Sequence, residues 1–152
     1  MTTATAKPPE AFPSVQTLLG GRHVLRVKPQ TTLDWIALIR QGIPAAAVDH
    51  LLATLRVSQS DLAKVLGIPE RTLARRKRQG TLNSEESSKL LRIARVVGRA
   101  TEVFEEAETA LDWLKAPNSA LQRKTPLSLL DTDIGAESVL DTLGRIEHGV
   151  FA

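Results

Sequence analysis

The sequence predicts an all-α fold: a helical domain built on a helix-turn-helix, followed by a smaller helical domain. Three observations predict it. Apolar residues recur at helical spacing over most of the chain, and no alternating pattern longer than four residues reads as a strand. Glycine and proline sit between the periodic stretches, where helices start and stop. The segment Ser58 to Gly80, SQSDLAKVLGIPERTLARRKRQG, has the pattern of two short helices joined by a tight turn, the second loaded with cations.

Taken in order, residues 1–30 hold scattered Pro, Thr and Gly with little periodicity. Val15, Leu18 and Leu19 offer one helical turn before Gly20-Gly21, and the expectation is a flexible N-terminal arm closed by Pro29. Residues 31–100 form the expected helical domain. Thr32 is placed to cap a helix from Leu33 to Arg40, with Asp34 in its first turn and Trp35, Ile36 and Ile39 as its apolar side. Trp35, a large aromatic at this spacing, reads as core rather than as a ligand platform. Pro44 opens a second helix through Leu55, in which Val48, Leu51, Leu52 and Leu55 repeat at helical spacing.

The helix-turn-helix, about 58–80, follows. Asp61 to Leu66 is its first helix, Gly67 its break, and Pro69 takes the first position of its second helix. Leu62, Ala63 and Leu66 share one buried face on which Leu73 packs back. Asn83-Ser84 then caps a long helix with Glu85 and Glu86 in its first turn, expected to weaken or end at Gly98.

Residues 101–152 are the expected C-terminal domain. Thr101 is placed to cap a helix through Ala116, with a stripe of Val103, Ala107, Ala110, Leu111 and Leu114, and Pro117 stops it. Asn118 caps a short turn, Thr125-Pro126 starts a brief helix through Leu130, and Asp133-Ile134-Gly135 reads as a loop. Ala136 to His148 is the last helix, with Gly149 at its end.

The net charge of +3 conceals an asymmetry. Residues 1–70 carry +2, residues 71–99 carry +7 and residues 100–152 carry −6. A basic middle before an acidic tail fits two surfaces for two partners, or two halves that neutralise each other within a dimer. Five of the eight residues from Arg71 to Arg78 are basic and directly follow the turn, the arrangement that presents a helix N-terminus to a duplex. Arg71, Thr72 and Arg75, nearest the helix start, are the candidates for base edges in the major groove. Gln59 and Ser60 are placed to touch a phosphate, and Arg76, Lys77 and Arg78 to neutralise phosphates. Arg76 stands where such a helix often buries an apolar residue, so its stem is expected to pack while its head reaches water. One such unit covers a few base pairs, so a homodimer reading two half-sites is expected.

Other chemistries find little in the residues. No cysteine means no disulfide, thiolate metal site or cysteine nucleophile. His23, His50 and His148 lie far apart and lack ligand-spaced neighbours, so no metal or cofactor is expected. Gly20-Gly21 lacks the Lys-Ser/Thr of a phosphate loop, and Asp131 with Asp133 reads as loop and capping chemistry rather than an acid pair. The chain is therefore read as a binding protein and not an enzyme. The 42% hydrophobic content excludes wholesale disorder. No apolar run approaches the ~20 residues of a membrane span, and the N-terminus lacks the order of a signal peptide, so a cytoplasmic protein is expected.

The last third adds a resemblance. Within VFEEAETALDWLKAPNSALQRKTPLSLLDTDIGAESVLDTLGRIEHGVFA, the pattern A…WL…PN.AL…TPL.LL.T..GA..V...L.RIE.G resembles the toxin-binding domain of Xre/MbcA/ParS-type antitoxins. With the helix-turn-helix, which is then Cro/Xre-like, the match runs from about Pro44 to Ala152. Gln122-Arg123 stand where that family commonly has a glycine-rich turn.

The resemblance implies the antitoxin of a RES–Xre pair, in which the C-terminal domain binds an NAD-depleting RES toxin and the helix-turn-helix represses the operon. It implies toxin contacts at Pro117, Asn118, Lys124, Asp133, Arg145, Glu147, His148, Gly149, Val150 and Phe151, and a hetero-oligomer with the toxin. Phe151 is either an anchor for that partner or a fraying terminal residue. Arg145 follows Asp141 by four residues, so an intrahelical ion pair competes with toxin contact. His148 beside Glu147 also fits a favourable helix-end contact. The competing readings are a stand-alone regulator whose tail senses a ligand or dimerises, and a structural partner that has lost DNA binding.

Overall fold

A computed structural model describes residues 11–149. Nine α-helices run through them: α1 (Ala11–Leu18), α2 (Gly21–Leu25), α3 (Thr32–Gln41), α4 (Ala46–Leu55), α5 (Gln59–Leu66), α6 (Glu70–Gln79), α7 (Ser84–Phe104), α8 (Ala107–Lys115) and α9 (Asp133–Glu147). Two 3-10 turns, Ser119–Leu121 and Leu127–Leu129, link α8 to α9. No sheet forms among these residues; there are two isolated bridges, Pro44 with Thr81 and Asn118 with Lys124.

Polar caps set most of the starts. Thr31, one residue before the expected Thr32, accepts from the Asp34 amide at 3.1 Å, and the Asp34 carboxylate accepts from the Thr31 amide at 3.2 Å. Ser58 caps α5, Asn83 and Glu86 form a reciprocal capping box on α7, and Thr132 caps α9. Pro44 and Pro69 stand just outside their helices rather than at the first position, and α4 begins at Ala46.

α7 is the central strut. It packs against α1, α3, α5, α8 and α9, and buries Leu90, Ile93, Ala94, Val97 and Ala100. One hydrophobic cluster runs through both halves of the chain, from Val15 and Trp35 through Leu62, Leu73 and Ile93 to Leu114, Val139 and Leu143. Trp35 is core, as expected.

Four expectations change here. The arm expected over 1–30 is, in residues 11–25, two packed helices. Val15 and Leu19 are fully buried, and the Gln16 amide holds the Pro29 carbonyl at 2.7 Å. α7 does not stop at Gly98, which is buried inside it, and the boundary expected at 100–101 falls within this helix. Thr101 does not cap α8: its hydroxyl donates to the Val97 carbonyl at 2.9 Å, and the break comes at Glu105, in the left-handed region. Finally, Asp133-Ile134-Gly135 is the first turn of α9, not a loop. Gly135 is required there by close approach, since a Cβ would lie 1.9 Å from the Leu129 carbonyl oxygen.

Candidate functional surfaces

The helix-turn-helix is built as its residues direct. Leu62, Ala63, Leu66 and Leu73 are all buried. Gly67 adopts φ +73 at the turn, which costs a glycine little and lets the Ile68 amide reach the Ala63 carbonyl at 3.0 Å. The Pro69 carbonyl then accepts the Thr72 amide at 3.0 Å and starts α6. At its far end α6 is stapled to the α3–α4 connection. The Ala45 amide donates to the Gly80 carbonyl at 2.9 Å and the Leu82 amide to the Ile43 carbonyl at 3.0 Å. The fully buried Ser87 hydroxyl takes the Ile43 amide at 2.8 Å.

The cations of α6 divide into two sets. Arg71, Arg75 and Arg78, at i, i+4 and i+7, are exposed along one face, and their side chains have no hydrogen-bond or ion-pair partner among the described residues. Arg76 and Lys77 turn inward. Arg76 Nε donates to Glu86 Oε1 at 2.8 Å, and its guanidinium also reaches Gln79 at 3.1 Å. Lys77 Nζ bridges Gln59 Oε1 and Asp49 Oδ1, each at 2.7 Å. Gln59, Arg76 and Lys77, read from sequence as phosphate contacts, are therefore held by other parts of this chain. Thr72 and Ser60 are half-buried. Asp49 and Glu86 carry no sequence signal for these ties. The Asn83–Glu86 box is legible, but nothing local announces that the same carboxylate also receives α6.

In the C-terminal half, α9 is fastened to α7 near both ends. Arg92 reaches Asp133 at 2.6 Å and the Leu130 carbonyl at 3.2 Å. Arg99 holds Glu147 with two donors, one to Oε2 at 3.1 Å. Arg56 at the end of α4 pairs with Glu108 of α8 at 2.5 Å, and Lys115 donates to the Arg56 carbonyl at 3.3 Å. Three acidic groups of the tail are thus matched by arginines of the preceding half within one chain, where the sequence left open neutralisation across a dimer. Glu105, Asp112, Asp131, Glu137 and Asp141 remain at the surface.

Of the other residues singled out, Pro117 is exposed, and Asn118 accepts the Ala120 amide at 2.8 Å and caps the first 3-10 turn. Lys124 is exposed, and its carbonyl takes the Asn118 amide at 3.0 Å. Gln122 and Arg123 take φ +55 and +66, so the turn forms without glycine. Arg145 is exposed and makes no ion pair with Asp141. His148 closes α9, its amide on the Gly144 carbonyl at 3.1 Å, and Gly149 leaves the helix at φ +72. Val150 and Phe151 lie outside the described residues. Among those described, no group of His, Asp or Glu is arranged to hold a metal ion, and no helix is long and apolar enough to cross a membrane.

Comparison with known proteins follows the same two-part division. Residues 34–95 match the family described as the antitoxin Xre-like helix-turn-helix domain, and residues 99–149 the antitoxin Xre/MbcA/ParS C-terminal toxin-binding domain. An Antitoxin Xre of Yersinia enterocolitica is 34% identical over 116 residues, 75% of this chain and 78% of that protein. A Prs ADP-ribosylating antitoxin of a Sphingobium species is 29% identical over 130 residues, 79% of this chain and 82% of that one. Among solved structures, a chain from the M. tuberculosis MbcT-MbcA toxin-antitoxin complex shares the fold, with a TM-score of 0.51 and 20% identity, over 71% of this chain and 96% of its own.

Proposed function

This chain belongs to the Xre antitoxin family, and from that premise we propose that it neutralises a RES-domain, NAD-depleting toxin and represses its own operon through α6. It is an antitoxin with a helix-turn-helix and a C-terminal toxin-binding domain; the identity of the toxin and the operator are the proposal. Neutralisation is by occlusion. α9 and the residues from Gly149 to Phe151 cover the toxin's substrate entrance, and the chain itself performs no catalysis.

The observation that carries this reading is the two-point fastening of α9 to α7 by Arg92–Asp133 and Arg99–Glu147. A helix held near both ends delivers the chain from one defined place, which lowers the ordering cost of binding a partner. Asp133 and Glu147 then act by holding α9, while Pro117, Asn118, Lys124, Arg145, His148, Val150 and Phe151 are the proposed contacts. The exposed carboxylates of the tail suit the basic cleft that a phosphate-bearing dinucleotide requires.

For DNA, the exposed face of Arg71, Arg75 and Arg78 supplies contacts, with Thr72 and Ser60 beside them. We assign a homodimer that sets two α6 helices on half-sites one helical turn apart, and a hetero-oligomer with toxin in the cytoplasm. The two functional units share α7 rather than being separated by a linker.

The test is co-expression of the chain with the toxin of its operon, followed by a mass measurement and an operator shift assay. One complex that shifts operator DNA and releases an NAD-consuming enzyme on denaturation of the antitoxin supports the reading. The Sphingobium relative's name makes ADP-ribosyl transfer the toxin activity to distinguish from plain NAD depletion. A stand-alone ligand-sensing regulator is the second reading. It would use the groove of about 510 Å³ between α3, α7 and α9, lined by apolar Trp35, Ile39 and Leu140 and by charged Arg92, Asp133 and Glu137. A chain that binds operator DNA but captures no toxin favours that reading instead.

A further inference from the structure

We propose that α2 carries a second DNA contact, in which Arg22 and Arg26 hold backbone phosphates flanking the base pairs that α6 reads. The inference rests on the operator-binding reading above and adds to it a surface outside the helix-turn-helix. Both arginines precede the two family matches, which begin at residues 34 and 99.

The position of α2 comes from its packing on α4. α2 packs against α1 and α4, and Gly20 at its start approaches α4 so closely that an added Cβ would lie 2.8 Å from Cδ2 of His50. The residue before His50 is Asp49, which holds Lys77 of α6 at 2.7 Å, and Lys77 in turn holds Gln59 at the start of α5 at 2.7 Å. On α6, Lys77 lies about a third of a turn round the helix from the exposed face of Arg71, Arg75 and Arg78. That flank, facing α4 and the start of α5, is the one that α2 adjoins. In a helix-turn-helix the first helix crosses the phosphate backbone while the second lies in the groove. α2 is thus joined through α4 to the backbone-facing side of the motif.

Its side chains divide between two faces. Val24 and Leu25 are buried, whereas Arg22, His23 and Arg26 are exposed. The buried pair fixes the segment, and Arg26 N–H closes it on the Arg22 carbonyl at 2.9 Å. From residue 11 to residue 33 the chain has Arg22, His23, Arg26 and Lys28 and no Asp or Glu. The side chains of Arg22 and Arg26 have no ion-pair or hydrogen-bond partner among the described residues. Asp49, the carboxylate next to His50, is already taken by Lys77. Positive charge with no local acid, held on the flank that faces a duplex, neutralises phosphates and reads no bases. DNA fits this surface better than a protein carboxylate, because the motif beside it already sets the duplex there.

The experiment uses the full chain and two duplexes cut from the segment it protects upstream of its operon. One is trimmed to the half-sites, and the other is extended by half a helical turn, about 5 base pairs, at each end. Wild type should bind the extended duplex at least about fivefold tighter than the trimmed one. Arg22→Gln with Arg26→Gln should bind both duplexes alike and, on the extended one, lower the slope of log K against log salt by about two for each bound protomer. Its preference among operator sequences, its Tm, its oligomeric mass and its toxin affinity should stay as in wild type. A double variant that keeps the wild-type slope and still prefers the extended duplex overturns the proposal. So does one that loses oligomeric mass or toxin affinity together with DNA binding, which makes α2 a protein contact instead. Failure of the wild-type chain to bind operator DNA at all contradicts the helix-turn-helix reading on which the proposal rests.

Discussion

Arg76 of α6 and Glu86 of α7 meet at 2.8 Å, and the same Glu86 oxygen accepts the Asn83 amide at 2.9 Å. One carboxylate therefore caps the central helix and fixes the roll of the helix that carries the exposed arginines. Glu86 is 5% exposed, so its charge is held where water does little to screen it. Arg76→Met leaves that carboxylate with only the backbone donor. A loss of about 2 kcal/mol in unfolding free energy is expected, measured by denaturant titration. A change below about 0.5 kcal/mol means the pair does not hold α6.

The division of cations on α6 predicts how DNA binding responds to salt. Removing one cation that neutralises a phosphate reduces the slope of log K against log salt by about one. Arg78→Gln should reduce the slope in this way, whereas Arg71→Gln and Arg75→Gln should also relax sequence preference. Lys77→Met should weaken operator binding while leaving the slope as in wild type, because Lys77 is already paired with Asp49 and Gln59. A slope reduced by about one in the Lys77 variant would return that residue to the phosphate contacts.

Gly135→Ala tests the start of α9. The added methyl would meet the Leu129 carbonyl at 1.9 Å, and the obstacle is backbone, so the 3-10 turn before α9 must shift. About 3 kcal/mol of destabilisation is expected in a chemical denaturation curve. Gly144→Ala is the control, because a Cβ there meets nothing within 4 Å.

Asp34 gives a pH prediction. The backbone amides of Gln30 and then Thr31 hold its carboxyl below the ordinary value of 3.8. A depressed carboxylate stabilises the fold above its unfolded pKa and loses that stabilisation as pH falls through the folded one. The Tm gap between wild type and Asp34→Asn should therefore be full above about pH 5 and shrink as the solution becomes more acid than the ordinary value. A gap that stays constant down to about pH 2 removes Asp34 as a source of acid sensitivity.

Much of this architecture is legible in the sequence because the relevant chemistry is local. Ser58, Gly67 and Leu73 write the helix-turn-helix within about sixteen residues, and Asn83 with Glu86 writes a helix start within about four. The sequence misleads where tertiary packing outweighs local signals. Gly98 looks like a helix end, but burial against neighbouring helices carries α7 through it. Val15 and Leu19 look too sparse to anchor an arm until α7 supplies the surface that buries them. The side-chain pairing is the least visible part. Arg92 with Asp133 and Arg99 with Glu147 join residues 41 and 48 positions apart, and no spacing rule marks such partners. For the same reason Arg76 and Lys77 read as free cations when they are internal ties.

The proposed occlusion of an NAD-consuming toxin by the C-terminal end of this chain is measured directly by NAD consumption of the purified RES-domain toxin. Titrating in the full-length chain should abolish NAD loss at a fixed stoichiometry. A chain lacking Gly149 to Ala152 should still bind through the α9 surface yet leave NAD consumption substantially restored. Complete inhibition by the shortened chain would contradict occlusion by this end.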